Sequence, residues 1–568
     1  MNIEHPWLHY YGNVPHAIDF PECTMYESIL EAVEEFPDET AYDFMGLQVA
    51  YAEFKEQIDQ CANALAALGI KKGDRFTISM PTSPPGVICF YALNKLGAVA
   101  SMIHPLSTET EIEFYFTLSK SSMALTMDMW FDKVYSAASR AGLEKLLVVK
   151  MEDYLPKHLA LLYWLKQGRK NPAIPNDDPL VVSWKDHVMK SSHPPVEKAD
   201  VDPHDMAVIL YSGGTTGKPK GIMLSNYNFV SQGLMCAHWV GMNRDYADVL
   251  AMLPIFHGFG LGVCVNAALM NGGKSILVPM FEADLAAKMM KKKPNYLIGV
   301  PTLYEALAKS KKFAKSDLSC LHACFSGADS LPRATKEAFE KSVIEGGGNV
   351  VLLEGYGLTE AVTAIMAMPV HEYREGSIGI PFPGMQAKIV EPGSSRELGP
   401  GKEGEICVCG PAVMLGYLDQ PEETNRVRVT HDDGRTWLHT GDIGYMDNDG
   451  FFYFTTRQKR MIKSSGMNVY PSQVEAQLRT HPAVDSVCVI GVPDRVQVER
   501  VKAFVVVKEG FYASRDLQND LIEHCRKDLI KWSCPREIEF RDSLPVTQVG
   551  KIAYRVLEEE EKQNMAAT

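Results

Sequence analysis

Apolar side chains recur along this chain with two periods. Phe54, Ile58, Cys61, Leu65 and Leu68 step by four and three, which predicts a helix with one buried face, and Gly69 stands where such a helix ends. Residues 75–80 then read as a strand. Short apolar runs followed by polar or glycine-rich loops repeat further on: 207–210 before 211–221, 296–300 before Pro301-Thr302, 323–325 before 326–329, and 350–353 before Glu354-Gly355-Tyr356-Gly357. Alternation of this kind predicts a layered α/β architecture, in which ligands bind beyond the strand ends. From about residue 390 the pattern turns to glycine-punctuated strands such as 405–409 and 451–454. After residue 460 it predicts helix 471–480, strands near 485–490 and 502–508, helix 515–530 and strand 537–541, a compact α+β unit.

Residues 151–195 interrupt the rhythm. The stretch KHLALLYWLKQGRK (157–170) is apolar between basic ends, and PAIPNDDP follows it. An inserted helix packed on its parent domain is the expected outcome, and a helix at a membrane surface is the alternative. No run of 18 apolar residues occurs; the best candidate, 87–103, carries Asn94 and Lys95. The N-terminus lacks the basic start and apolar run of a signal peptide, so a cytoplasmic protein is expected, with the inner face of the membrane as a peripheral location.

Composition changes the picture little. A chain of 568 residues implies about three or four domain-sized units. A net charge of −14 argues against a nucleic-acid binder. The twelve cysteines show no paired spacing. Cys320, His322 and Cys324 lack a second ligand pair, so buried thiols in a reducing compartment are expected rather than a metal site.

The chemistry is concentrated in loops. Residues 211–221, YSGGTTGKPKG, offer glycine backbone N–H groups, the hydroxyls of Ser212, Thr215 and Thr216, and the charges of Lys218 and Lys220. That inventory suits phosphate oxygens. It is not a P-loop, because Ser212 replaces the first glycine and Pro219 follows Lys218. Tyr356-Gly357-Leu358-Thr359-Glu360 places an aromatic face, a hydroxyl and a carboxylate together, suited to adenine, a phosphate oxygen and magnesium. Thr440-Gly441-Asp442 offers a carboxylate on a turn for two ribose hydroxyls. Arg457, Lys459 and Lys463 follow, and Gly550-Lys551 lies in a late loop.

In this order, YSGGTTGKPKG, YGLTE, TGD, the Arg457 region and Gly550-Lys551 resemble the signature motifs of the adenylate-forming superfamily, which includes acyl-CoA synthetases, adenylation domains and luciferases. LLEGYGLTE (352–360), GSIGIPFPGM (376–385), GPAVMLGY (410–417), WLHTGDIGYMDNDGF (437–451), SGMNVYPSQVE (465–475) and EFRDSLPVTQVGKI (539–552) look most like bacterial long-chain fatty-acyl-CoA synthetases. The resemblance implies that fold: a large layered α/β domain, 1–457, with a β-rich C-terminal part, and a small mobile α+β domain, 458–568. It also implies an acid–thiol ligase that takes Mg-ATP, a fatty acid and coenzyme A through an acyl-adenylate.

Carried over residue by residue, the resemblance makes Ser212, Gly213, Gly214, Thr215, Thr216, Gly217, Lys218 and Lys220 a pyrophosphate cradle. Tyr356 and Gly357 would meet adenine, Thr359 the α-phosphate and Glu360 the magnesium. Asp442 and Arg457 would bind the ribose. Lys551 would bridge acyl carboxylate and α-phosphate, and His257 would sit near that carboxylate. Lys459 falls at the hinge, and Ser465-Gly466 line the pantetheine path. Thr456, Val549 and the pair Ser533-Cys534 depart from common family residues. A medium-chain or aryl acid, and a separate carrier protein as acceptor, are the alternatives; Gly272-Gly273-Lys274-Ser275 faintly resembles a carrier attachment site. The sequence sets no oligomeric state.

Overall fold

The structure is a computed structural model that describes residues 5–175, 177–212, 219–243, 245–464, 467–494, 498–546 and 552–566. Gly213 to Lys218, Ser465, Gly466, Gly550 and Lys551 therefore lie outside the described residues. The chain divides into two compact units, residues 1–387 with 408–438, and residues 388–407 with 439–568.

The first unit holds two sheets. In one, strands Leu352–Gly357, Ala323–Ser326, Tyr296–Gly299, Val249–Ala251, Ser275–Leu277 and Thr40–Phe44 lie side by side in parallel. Leu47–Ala50 flanks them antiparallel at one side, and Ala364–Ala367 with Ser377–Pro381 at the other. The second sheet has eight strands, with the parallel set Met206–Ser212, Val99–Met102, Arg75–Ser79, Met123–Met127, Lys145–Val149 and Val181–Ser183 at its heart. Helix Tyr51–Ala67 buries Phe54, Ile58, Cys61 and Leu65 as the spacing predicts, and Gly69 follows its end at φ 105°, where a side chain would be strained.

Helix Pro84–Lys95 explains the most apolar stretch of the chain. All twelve of its residues are buried. Its polar end is compatible with burial because each polar group has a partner. Asn94 accepts from the Tyr26 N–H at 2.8 Å and donates to Asn226 at 2.6 Å. Lys95 pairs with Asp59 at 2.8 Å, and Asp59 also accepts from the Tyr26 hydroxyl. Among the described residues no helix is long and apolar enough to cross a membrane.

Three expectations need correction. The strand expected at 350–353 starts at Leu352 and runs on through Gly357, so the YG pair sits in a strand rather than a loop. TGD likewise belongs to the long strand Thr436–Met446, with Gly441 at φ 71°. The inserted helix Lys157–Lys166 forms, but it buries none of its residues.

The second unit pairs strand Phe452–Arg457 with the 439–446 part of the TGD strand. Beyond it, Val484–Asp494, Val498–Val507, Ile462–Ser464, Met467–Val469 and Glu537–Phe540 form a five-stranded sheet under helices Pro471–Arg479 and Arg515–Asp528. Lys502, buried in this unit, meets Glu537, Glu539 and Glu561 at 2.7–2.9 Å. Burial alone would pull its ammonium down; the three carboxylates outweigh it and hold the pKa up.

Candidate active site

In the first unit the strands on either side of the glycine-rich motif form a hairpin. Met206–Ser212 and Lys220–Ser225 pair antiparallel, with Ser212 directly opposite Lys220. Tyr211 anchors the outgoing strand through a 2.8 Å hydrogen bond with the Ser101 hydroxyl, and burial pushes its phenol up to about 12. Lys220 is buried. Its ammonium pairs with Glu423 at 2.6 Å and lies 4.5 Å from the centre of the Tyr417 ring. The hydroxyl of that same Tyr417 donates to Glu360 at 2.9 Å. One phenol thus joins Lys220 to the carboxylate of Glu360.

Tyr417 was not singled out in the sequence, although GPAVMLGY was. The signal was the Gly416-Tyr417 pair, which adds a two-residue strand alongside Lys220–Ser225. The preceding chain is tied in as well: Met414 N–H donates to the Glu360 carbonyl at 2.8 Å and Leu415 N–H to Met223 at 2.9 Å.

Thr359 and Glu360 stand on a short 3₁₀ turn that ends in strain. Val362 has φ 61° and ψ −62°, and Thr363 N–H reaches back to the Ala361 carbonyl at 2.6 Å. That is a γ-turn on a β-branched residue, which costs roughly 1–3 kcal/mol and persists only where neighbours hold it. The neighbours are visible. A Cβ on Gly258 would lie 1.9 Å from the Val362 carbonyl oxygen, and one on Gly357 would lie 1.9 Å from that of Thr363. The Gly258 backbone therefore presses against the turn that carries Glu360, and this contact brings His257 beside YGLTE.

His257 is half-buried, and its Nδ1 accepts from the Phe259 N–H at 3.2 Å. Acceptance at Nδ1 puts the proton of the neutral ring on Nε2. The adjacent Phe256 packs on His104, ring centres 4.1 Å apart. Burial, with the nearby Lys133, lowers the His104 imidazole to about 4, so it is neutral at physiological pH. Tyr356 is only 8% exposed, and its neighbour Glu354 is pushed up to about 7 by burial, with Lys336 pulling the other way.

In the second unit Asp442 and Arg457 are register partners across the hairpin, Oδ1 to Nε at 3.0 Å. The Asp442 side chain is 2% exposed and that of Arg457 60%. The Asp442 segment is fastened from below by Glu405, another residue the sequence reading passed over. Glu405 accepts from Gly441 N–H at 2.9 Å and from His439 Nδ1 at 2.9 Å. The Thr440 hydroxyl donates to the Ile406 carbonyl at 2.7 Å and accepts from Asp442 N–H at 3.1 Å. The Thr440 hydroxyl and the N–H groups of Gly441 and Asp442 are thereby all engaged in fixing the segment that carries the carboxylate.

Among the described residues, the one group of three or more ligand-type side chains close enough to hold a metal is Glu405, Cys407 and His439. The hydrogen bonds of Glu405 to His439 and Gly441 account for it as a clamp. Cys320, His322 and Cys324 form no such group: His322 stacks on Tyr246, ring centres 4.5 Å apart, and Cys324 is buried. Lys459 lies on the 3₁₀ turn Gln458–Arg460.

A sequence profile of the family described as AMP-binding enzyme matches residues 29–418, and that of its C-terminal domain matches 473–551. A long-chain-fatty-acid–CoA ligase of Bacillus subtilis strain 168 is 36% identical over 569 residues, covering 99% of both chains. One from Escherichia coli O157:H7 is 31% identical, covering 98% of both. Among solved structures, ATP-bound MatB from Rhodopseudomonas palustris superimposes with a TM-score of 0.81 at 26% identity, over 95% of this chain and 99% of that one.

Proposed function

The chain belongs to the AMP-binding enzyme family, and from that premise we propose that it is an ATP-dependent fatty-acyl-CoA ligase acting on long-chain acids. The acid is first adenylated by ATP, releasing pyrophosphate. Coenzyme A then displaces AMP to give the thioester. A long-chain acid is supported by the near full-length similarity to two ligases of that name. Medium-chain and aryl acids are less favoured by those names, as is a separate carrier acceptor; an attachment site within this chain is disfavoured too, because Ser275 is fully buried and its hydroxyl donates to the Cys264 carbonyl.

The observation that carries the reading is Asp442, a buried, backbone-fastened carboxylate facing an exposed arginine in register. A rigid double acceptor suits the two hydroxyls of a ribose, and the arginine can cover them. The cradle 212–220 and Thr359 would take the phosphates, with Tyr356 and Gly357 at the adenine. Lys220 would serve by fixing Tyr417 and Glu360 as well as by charge. A single carboxylate held through one phenol fits magnesium, which keeps few protein ligands and binds mainly substrate phosphates and water; Glu360 would hold it. When bound, that ion neutralises charge on the phosphates. Lys551 would bridge the acyl carboxylate and α-phosphate, with His257 nearby.

Between the half-reactions the small domain, 458–568, would turn about Lys459 so that Ser465-Gly466 reach the thiol path. Arg460 supports a hinge just before it. It pairs with Glu475 at 2.5 Å, donates to the Val489 carbonyl at 3.1 Å and lies 4.8 Å from the Tyr554 ring, so it is locked into the small unit. The enzyme would be cytoplasmic, at the inner face of the membrane when its exposed helix is engaged.

Pyrophosphate release across fatty and aryl acids, with and without coenzyme A, tests the substrate. Aliphatic long-chain acids should give the highest kcat/KM, and an aryl acid better by about tenfold would overturn it. Assaying the two halves apart tests the mechanism. Lys551→Ala should lose roughly 10²–10³-fold in adenylation. It should still convert supplied acyl-adenylate to acyl-CoA, and equal loss in both halves rules the assignment out.

A further inference from the structure

Helix Lys157–Lys166 is apolar on both of its faces, and the outer one is left uncovered. It turns Leu159, Ala160 and Tyr163 partly toward the body, but its exposed stripe is His158, Leu161, Leu162 and Leu165, spaced three, four and seven apart, with Trp164 beside it. Leu161, Leu162, Trp164 and Leu165 are 59%, 51%, 46% and 42% exposed. Isolated exposed leucines are ordinary; four large apolar side chains on one short helix are a patch that marks an interaction surface.

The charges around the patch select its partner. Lys157 and His158 stand exposed at one end, and Lys166, Arg169 and Lys170 at the other. No Asp or Glu occurs between Asp153 and Asp177, in a chain whose net charge is −14. Arg169 folds over Trp164, its guanidinium carbon 5.7 Å from the ring, and donates to the Leu165 carbonyl at 2.8 Å. The segment is fastened to the body beneath: Asn171 donates to Asp128 at 2.8 Å. An apolar strip framed by cations, with a tryptophan at its centre, matches the boundary between acyl chains and anionic headgroups.

We propose that helix Lys157–Lys166 docks the enzyme on an anionic lipid bilayer, with Leu161, Leu162, Trp164 and Leu165 entering the interface and Lys157, Lys166, Arg169 and Lys170 meeting the headgroups. The inference deepens the peripheral placement proposed above and rests on it, but not on the identity of the acid. One short helix gives reversible binding, and its cationic part weakens as salt rises.

Co-sedimentation of the full chain with phosphatidylcholine vesicles containing one-fifth phosphatidylglycerol tests it. The native chain should pellet with these vesicles and not with pure phosphatidylcholine. Leu162→Glu with Trp164→Glu should reduce the bound fraction about fivefold or more, as should raising the salt from about 20 to about 500 mM. Both side chains are exposed, so the variant should keep native pyrophosphate release with a water-soluble acid; that activity separates failure of the docking surface from failure of the proposed reaction. Unchanged binding by the variant overturns the proposal. So does equal binding to neutral vesicles, or a variant whose one change is loss of self-association, which would make the occupant a second copy of the chain.

Discussion

Glu360 and Asp442 are both motif carboxylates next to a glycine-bearing bend, and their surroundings are opposites. Asp442 is buried, fixed through Thr440, Gly441 and Glu405, and already faces a cation in Arg457. Glu360 is half-exposed and held by the neutral hydroxyl of Tyr417, while Lys220 lies over the ring of that phenol, paired with Glu423. A carboxylate meant to read two neutral hydroxyls gains from rigidity. One meant to meet a divalent cation gains from having, among the described residues, no protein cation of its own in contact. The same chemical group is assigned two tasks by what stands next to it.

Exchanging charge for shape at each position breaks the comparison where it matters most. Glu360→Gln keeps the acceptor for Tyr417 but removes the anion, and adenylation should fall roughly 10²–10³-fold. Titration with Mg2+ should reveal a raised metal requirement. Asp442→Asn keeps one acceptor and loses the second, so the loss should fall mainly on KM for ATP, with kcat less affected. If both variants lower kcat alike with unchanged metal dependence, the division of labour proposed here is wrong.

How much of this was legible in the sequence follows from the same contrast. The alternation of elements, the strand ends and the motif residues themselves were readable, because period and glycine placement are local properties. The buried helix Pro84–Lys95 was readable as apolar, yet what makes its Asn94 and Lys95 tolerable are Tyr26, Asp59 and Asn226, all distant in the chain. Tyr417 and Glu405 were missed for that reason. Each acts on a motif residue far away in sequence, 57 positions for Tyr417 to Glu360 and 36 for Glu405 to Gly441. The direction of the 157–166 helix was also hidden. Its apolar content was plain, but a sequence does not say which face a surface provides for.

Glu405 offers a finer probe of rigidity. Glu405→Gln retains an acceptor for one of its two donors, Gly441 N–H or His439, and gives up the other. If immobility of Asp442 is what the clamp supplies, KM for ATP should rise about tenfold at nearly constant kcat. Glu405→Asp should restore only part of it, since the shorter side chain keeps the charge but falls short of one donor. A purely structural role predicts otherwise: a lowered melting temperature with native KM in the protein that stays folded. A metal held by Glu405, Cys407 and His439 would give a third result, loss of activity on chelation that excess Mg2+ does not restore.

Glu354 supplies the remaining case, a carboxylate whose surroundings are dominated by burial. It stands on the strand Leu352–Gly357, six residues before Glu360, and one of its oxygens is buried without a hydrogen-bond partner among the described residues. Burial pushes its pKa up to about 7, with Lys336 and then the Tyr373 hydroxyl pulling the other way. The folded state therefore holds this proton more tightly than the unfolded chain. Between about pH 4.5 and pH 7 the native protein binds the more protons, so this group's contribution makes stability fall as pH rises through that window and leaves it level above. Glu354→Gln removes the titration while keeping the shape. The melting-temperature difference, variant minus native, should be a few degrees more positive at pH 8 than at pH 5, because the other titrating groups are common to both proteins and cancel. A difference of the same size at both pH values would mean that Glu354 carries an ordinary carboxylate pKa, and that burial on this strand is offset by the charges around it.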